Sequence, residues 1–134
     1  QKINLSRSAI NFNISDIKKD SFTFKLSNTQ GDELSFGYSS IDDTFFIDRE
    51  KSGKTGFSDT FSNKKSIAKR ISGSKILSGT ILLDKTSIEL FFDEGSTVMT
   101  EIFFPNAPFE TFSIETVNQD FVLDLLEVNQ LNIN

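Results

Sequence analysis

Phenylalanine in this chain comes in short runs that alternate with polar residues, and alternation at period two marks a strand with one buried face. Ser21-Phe22-Thr23-Phe24-Lys25-Leu26-Ser27 is the cleanest case, with Phe22, Phe24 and Leu26 on one face and Thr23 and Lys25 on the other. Asn28-Thr29-Gln30-Gly31-Asp32 supplies turn chemistry, Gly31 being free to take a positive φ. Leu34, Phe36 and Tyr38 alternate in the next run, and after Asp42-Asp43 a third carries Phe45 and Ile47. The same patterning predicts strands over Lys75 to Leu83, Ser87 to Phe92, Thr97 to Phe104, Glu110 to Val117 and Phe121 to Asn132. Helix competes only at Asp120 to Leu126.

Asp93-Glu94-Gly95 reads as a tight hairpin loop, since an acidic residue before glycine tolerates positive φ. Both prolines, Pro105 and Pro108, fall between strands. Strands recurring at such short spacing, with no helical period between them, predict an all-β fold. The expected architecture is a two-sheet antiparallel β-sandwich of jelly-roll or concanavalin type, one domain over residues 1–134. A chain of this length buries roughly two-thirds of its unfolded surface and needs no staples.

Glu50 to Ile71 breaks the alternation and is rich in Lys, Ser, Gly and Asn. It is expected to be a long loop pinned by Phe57 and Phe61, or one that contacts a ligand or neighbouring domain. Asp42-Asp43 and Asp93-Glu94 offer oxygen ligands for Ca²⁺, though neither has the spacing of a calcium loop. Asn4-Leu5-Ser6 and Asn13-Ile14-Ser15 fit the glycosylation acceptor pattern.

Several function classes are excluded by residue supply. With no cysteine and no histidine, thiolate and imidazole metal sites and a Ser-His-Asp relay have no residues to work with. No cofactor is implied. Fourteen basic against nineteen acidic residues leave no positive field for a polyphosphate, so nucleic acid is not an expected partner. No apolar run approaches the ~18 residues of a membrane span, and no signal-peptide pattern is visible. The missing initiator methionine suggests a processed protein or a piece excised from a longer one.

Two stretches carry a more specific likeness: Ile47-Asp48-Arg49 followed by Ser52-Gly53, Phe57 and Phe61, and Leu82-Leu83-Asp84-Lys85 followed by Ser87-Ile88-Glu89-Leu90-Phe91, Glu94-Gly95, Met99-Thr100 and Phe104-Pro105. In order and spacing this resembles the C-terminal sandwich domain of glycoside hydrolase family 32, the invertases, levanases and inulinases. Lys85 stands where that family more often has arginine, and the closing strand lacks the aromatic residue often found at its end. The resemblance implies a five-bladed catalytic propeller elsewhere in the parent chain, with Trp-Met-Asn-Asp-Pro, Arg-Asp-Pro and Glu-Cys motifs that this sequence lacks.

The chain is therefore expected to have no catalytic residues of its own and to serve as an accessory domain packed on the propeller of a fructan-degrading β-fructosidase. Were Asp48, Asp84 and Glu89 to supply a retaining pair, two carboxyl groups would have to stand ~5 to 5.5 Å apart. The second expectation is a module that binds fructose units of levan or inulin through Asp48, Arg49, Asp84, Glu89 and Tyr38, the available hydrogen-bonding and stacking types. For Asp48-Arg49 the competing reading is an ion pair or turn bond that holds the loop. The third is an interaction or adhesion domain with no fructan connection. The resemblance further implies a secreted, periplasmic or cell-surface location and allows homodimerisation of the parent; the Lys, Asn, Ile and Ser content suggests a bacterial source.

Overall fold

The computed structural model describes residues 7–15, 21–49, 51–53, 65–116 and 122–130. Ten strands are present among them: β1 Ser8–Ser15, β2 Phe22–Ser27, β3 Glu33–Ser39, β4 Thr44–Asp48, β5 Ser66–Lys69, β6 Leu77–Leu83, β7 Ser87–Phe92, β8 Thr97–Ile102, β9 Thr111–Thr116 and β10 Val122–Gln130. They form two five-stranded sheets, β10-β1-β6-β7-β8 (sheet one) and β5-β4-β3-β2-β9 (sheet two), with antiparallel pairing between neighbours. This is the expected β-sandwich. Of the segment 120–126, where helix competed, the described residues 122–126 lie in β10, which pairs with β1 across one register shift at Asn13/Ile14.

Two strands go beyond the sequence reading. β1 alternates Ile10, Phe12 and Ile14 inward. β5 lies inside the segment expected to be loop, and it pairs with β4 from Thr44↔Lys69 to Ile47↔Ser66. Only four residues long and with Ala68 as its inward residue, it has almost no hydrophobic signal of its own and forms because β4 offers an open edge. Phe57 and Phe61, and the acceptor site at Asn4, lie outside the described residues.

The alternating phenylalanines do fill the space between the sheets. Phe12 of β1 meets Phe24 of β2 edge-on at 4.9 Å between ring centroids, and Phe45 of β4 stacks on Phe92 of β7 at 3.8 Å. Each pair joins one sheet to the other. A buried phenylalanine contributes about 1.5–3 kcal/mol through area alone. The β7–β8 hairpin turns through Asp93, Glu94 and Gly95, all at positive φ (52°, 59° and 91°), as the acidic-acidic-glycine sequence predicts.

The open side of the sandwich is sewn shut where β5 and β8 run together. Ser66 Oγ donates to Glu101 Oε2, and Thr97 Oγ1 donates to the Lys69 carbonyl at 3.4 Å. Just beyond β5, the buried Arg70 reaches Asp93 with Nε at 2.9 Å and Nη2 at 3.2 Å, and Nη2 also donates to the Ser74 carbonyl. Burial alone pulls the guanidinium pKa down, but the Asp93 carboxylate outweighs it and holds Arg70 above its ordinary value. The clasp ties the end of sheet two to the hairpin of sheet one.

Candidate functional site

Several of the residues that carry the sequence resemblance meet at one corner of the sandwich. β4 ends at Asp48, and the next residue, Arg49, crosses to sheet one. Its Nη1 donates to the Ile102 carbonyl at 3.1 Å and lies 3.6 Å from Glu101 Oε1, with both side chains more than four-fifths covered. The Arg49 carbonyl in turn accepts the Ser52 N–H at 3.1 Å and the Ser52 hydroxyl at 2.7 Å, closing a turn around a buried serine. Gly53 follows at φ 137°, and a Cβ there would fall 2.1 Å from the Phe104 carbonyl oxygen and 2.6 Å from Pro105 Cα. Only glycine fits. On the far side, the Phe103 N–H donates to the Thr86 carbonyl at 3.0 Å, and Asp84 N–H to Ser87 at 2.9 Å. Arg49, Ser52-Gly53, the Asp84–Ser87 turn and Phe104-Pro105 thus interlock as one structural joint between the sheets.

The five candidate sugar contacts are distributed, not gathered. Arg49 is spent inside this joint. Asp48 faces outward from sheet two, beside Lys25, Glu33, Ser35 and Lys51 around a shallow depression of about 260 Å³. Lys25 pairs there with Glu33 at 3.9 Å and Glu115 at 3.2 Å, exposed contacts of small energetic weight. Asp84 lies in the β6–β7 turn, its Oδ1 accepting the Lys85 N–H at 2.7 Å and facing Arg7 at 3.7 Å. Glu89 is exposed on the outer face of sheet one, between Leu82 and Thr100. Asp48 and Glu89 therefore stand on opposite outer faces of a sandwich whose sheets are ~10 Å apart, and those two cannot flank one glycosidic bond.

Tyr38 requires a correction. It is only 5% exposed, packed against Phe22 and Phe45, and so offers no platform for a sugar ring. Alternation with Leu34 and Phe36 had already put it on the inward face. Its hydroxyl donates to Asp43 Oδ1 at 2.6 Å, and the Arg70 guanidinium lies 5.8 Å from its ring. Burial first, then the bond to Asp43, push the phenol pKa up to about 12. Three of the four acidic residues weighed as calcium ligands are engaged within the protein, Asp42 with Thr44, Asp43 with Tyr38 and Asp93 with Arg70, and the fourth, Glu94, is exposed.

One polar knot had no counterpart in the sequence reading. Asp32, buried, accepts from Asn28 Nδ2 at 2.9 Å, from the Asn106 N–H at 2.7 Å and from Asn106 Nδ2 at 3.1 Å. Asn28 Nδ2 also donates to the Ala107 carbonyl at 2.8 Å. Burial raises the carboxyl pKa, but the donors from Asn28 and Asn106 outweigh it and leave Asp32 below its usual value. These bonds fasten the Pro105–Pro108 connection to the β2–β3 turn.

A two-sheet β-sandwich module whose sequence signature builds an inter-sheet joint is the class that these features define. The family described as "Glycosyl hydrolases family 32 C terminal" matches residues 2–131, and the chain belongs to it. It is 34% identical over 85 residues to a levanase of Bacillus sp. (strain L7), covering 63% of this chain and 9% of that protein. It is 26% identical over 122 residues to a levanase of Bacillus subtilis (strain 168), covering 90% of this chain and 18% of the relative. Among solved structures, exo-inulinase from Aspergillus awamori superposes with a TM-score of 0.82 at 19% identity, covering 98% of this chain and 26% of the other. A fructofuranosidase from Schwanniomyces occidentalis complexed with fructose gives 0.73 at 21% identity, over 96% of this chain and 29% of that one. These superpositions establish the sandwich fold, and the chain spans under a third of each of these four proteins.

Proposed function

We propose that this chain is the non-catalytic accessory domain of a fructan-degrading glycoside hydrolase, packed against the catalytic domain of the same parent and supporting its stability or the shape of its substrate cleft. The observation that carries this reading is the family match over residues 2–131, in a chain that spans only 9% and 18% of the two levanases it resembles. A polymeric fructan does not cross a membrane intact, so this reading puts the parent at or beyond the cell surface.

The surface offers a place for the docking. Ile41 is 95% exposed in the β3–β4 turn, Ile67 61% on β5, and Ile71 and Ile76 are 76% and 56% exposed in the β5–β6 connection. The bond from the Arg70 N–H to the Asp43 carbonyl at 2.9 Å holds the turn against that connection. Grouped exposed aliphatic side chains of this size mark an interface more often than a solvated surface. The strands are only ~25 Å long, so a catalytic domain of several hundred residues attached ahead of Arg7 reaches this end too.

The test uses the full-length parent enzyme with Ile41→Ser and Ile71→Ser together. The expected outcome is a second, earlier thermal transition and faster proteolytic release of the sandwich, with the isolated 134-residue chain melting as before. A single unchanged transition refutes the assignment of this patch.

A further inference from the structure

The outer face of sheet one differs in chemistry from the outer face of sheet two. Sheet two presents Lys25, Glu33, Asp48, Lys69 and Glu115, an ionic surface interrupted on β4 and β5 by Phe46 and Ile67. Sheet one instead carries a groove of about 590 Å³ that runs across its strands, and none of its lining residues among those described is basic. The pairing register fixes its layout. Glu127 on β10, Asn11 on β1, Thr80 on β6 and Phe91 on β7 stand side by side as cross-strand neighbours, with Asn13 and Leu82 on the flanking rows.

We infer that this groove binds a neutral oligosaccharide built of fructose units, on a face remote from Asp48. The depression is open, so it suits a chain lying across the strands and not a buried ring. Phe91 faces outward, because Leu90 and Phe92 take the inward positions, and it lies half-covered in the groove beside Leu82. An outward ring next to an aliphatic side chain gives the C–H face of a sugar an apolar seat. The polar groups beside it suit hydroxyls. Thr80 Oγ1 donates to Asn11 Oδ1 at 2.8 Å. That bond fixes the Asn11 carboxamide oxygen on the threonine, which leaves its NH₂ as a donor and the Thr80 oxygen as an acceptor. The Asn13 amide adds both kinds of group, and the Glu127 and Glu94 carboxylates accept only. Donors, acceptors and an apolar strip in one trough match a polyol, whereas two carboxylates with no cation repel phosphate or sulfate esters. The choice of fructose as the unit rests on the family reading above; the neutral, hydroxyl-rich character rests on the groove itself.

The 134-residue chain and the full parent enzyme, both ¹⁵N-labelled or titrated calorimetrically, are tested with levan-type and inulin-type oligofructosides. Binding is expected to move the amide resonances of Asn11, Thr80 and Phe91, and Phe91→Ala and Thr80→Val are each expected to weaken it about tenfold. Thr80→Val keeps shape and strand propensity, so its melting curve separates lost binding from lost folding. No shift at those amides, shifts confined to Asp48 and Arg49, variants that bind as tightly as the original, or binding by the chain but not by the parent would each overturn the assignment. Because the isoleucine variants leave the groove intact, a failed docking surface and a failed sugar groove give different results.

Discussion

Replacing Asp93 with asparagine isolates the contribution of the Arg70 clasp. The substitution keeps the size of the side chain, and asparagine is among the residues that best tolerate the positive φ of 52° at this position. What changes is charge: Arg70 and Asp93 have side chains 5% and 4% exposed, and the guanidinium would keep the Ser74 and Ile76 carbonyls but lose its counter-ion. Leaving one buried charge without its partner costs about 3–5 kcal/mol. For 134 residues the unfolding entropy is about 0.28 kcal/mol/K, so Tm should fall by about 10–18 °C. The assay is thermal and urea unfolding at neutral pH of four proteins: the original, Asp93→Asn, Arg70→Met and the double variant. Removing both partners takes away the uncompensated charge along with the pair, so the double variant should be more stable than Asp93→Asn alone. A loss under about 1 kcal/mol in Asp93→Asn, or strictly additive effects in the double variant, would refute the claim that the pair acts as a clasp.

Tyr38 is the sole tyrosine, so phenolate absorbance reports it alone. Half-ionisation is expected near pH 12, against about 10 for a free phenol. Since the folded pKa is the higher one, the stabilisation is complete below about pH 10 and is lost as pH rises toward 12, and Tyr38→Phe should flatten that alkaline loss; a midpoint near 10 in the folded protein would contradict it. Gly53→Ala forces a Cβ against the Phe104 carbonyl at positive φ and should cost about 2–4 kcal/mol in urea unfolding. Gly73→Ala, with nothing within 4 Å, should stay within about 0.5 kcal/mol, and equal effects at the two sites would contradict the joint described at Gly53.

Period two in the sequence reached the strands because each inward residue is large and each outward one polar, as in Phe22, Phe24 and Leu26. β7 was placed to the residue and the β7–β8 turn to its glycine. β5 escaped because a four-residue edge strand around Ala68 contributes little burial and is held by its neighbour, a tertiary cause invisible in local pattern. The Leu90-Phe91-Phe92 run shows a different limit: two adjacent phenylalanines must face opposite ways, and only the register with β6 and β8 decides which one is outside. The site reading fared less well. Arg49 holds the loop, the reading that competes with a sugar contact, through the Ile102 carbonyl 53 positions away and the Glu101 carboxylate. Asp32 and Asn106, 74 positions apart, meet for the same reason, through the crossing of strands between sheets. Tyr38 was assigned by chemistry to a surface that its own alternation denied it.

The pairing of Ser8 with Gln130 puts the first and last described strands side by side at the same end of sheet one. Chain that arrives at β1 and chain that leaves β10 do so through a single doorway, as in domains that tolerate insertion and permutation. Such a module is attached at one end of the sandwich, while Ile71 and Ile76 of the proposed docking patch lie at the other, ahead of the start of β6. Its faces are then free to change without disturbing the connection that carries it, and a short graft from residue 130 to residue 8 should yield a chain opened elsewhere that still folds into the same two sheets.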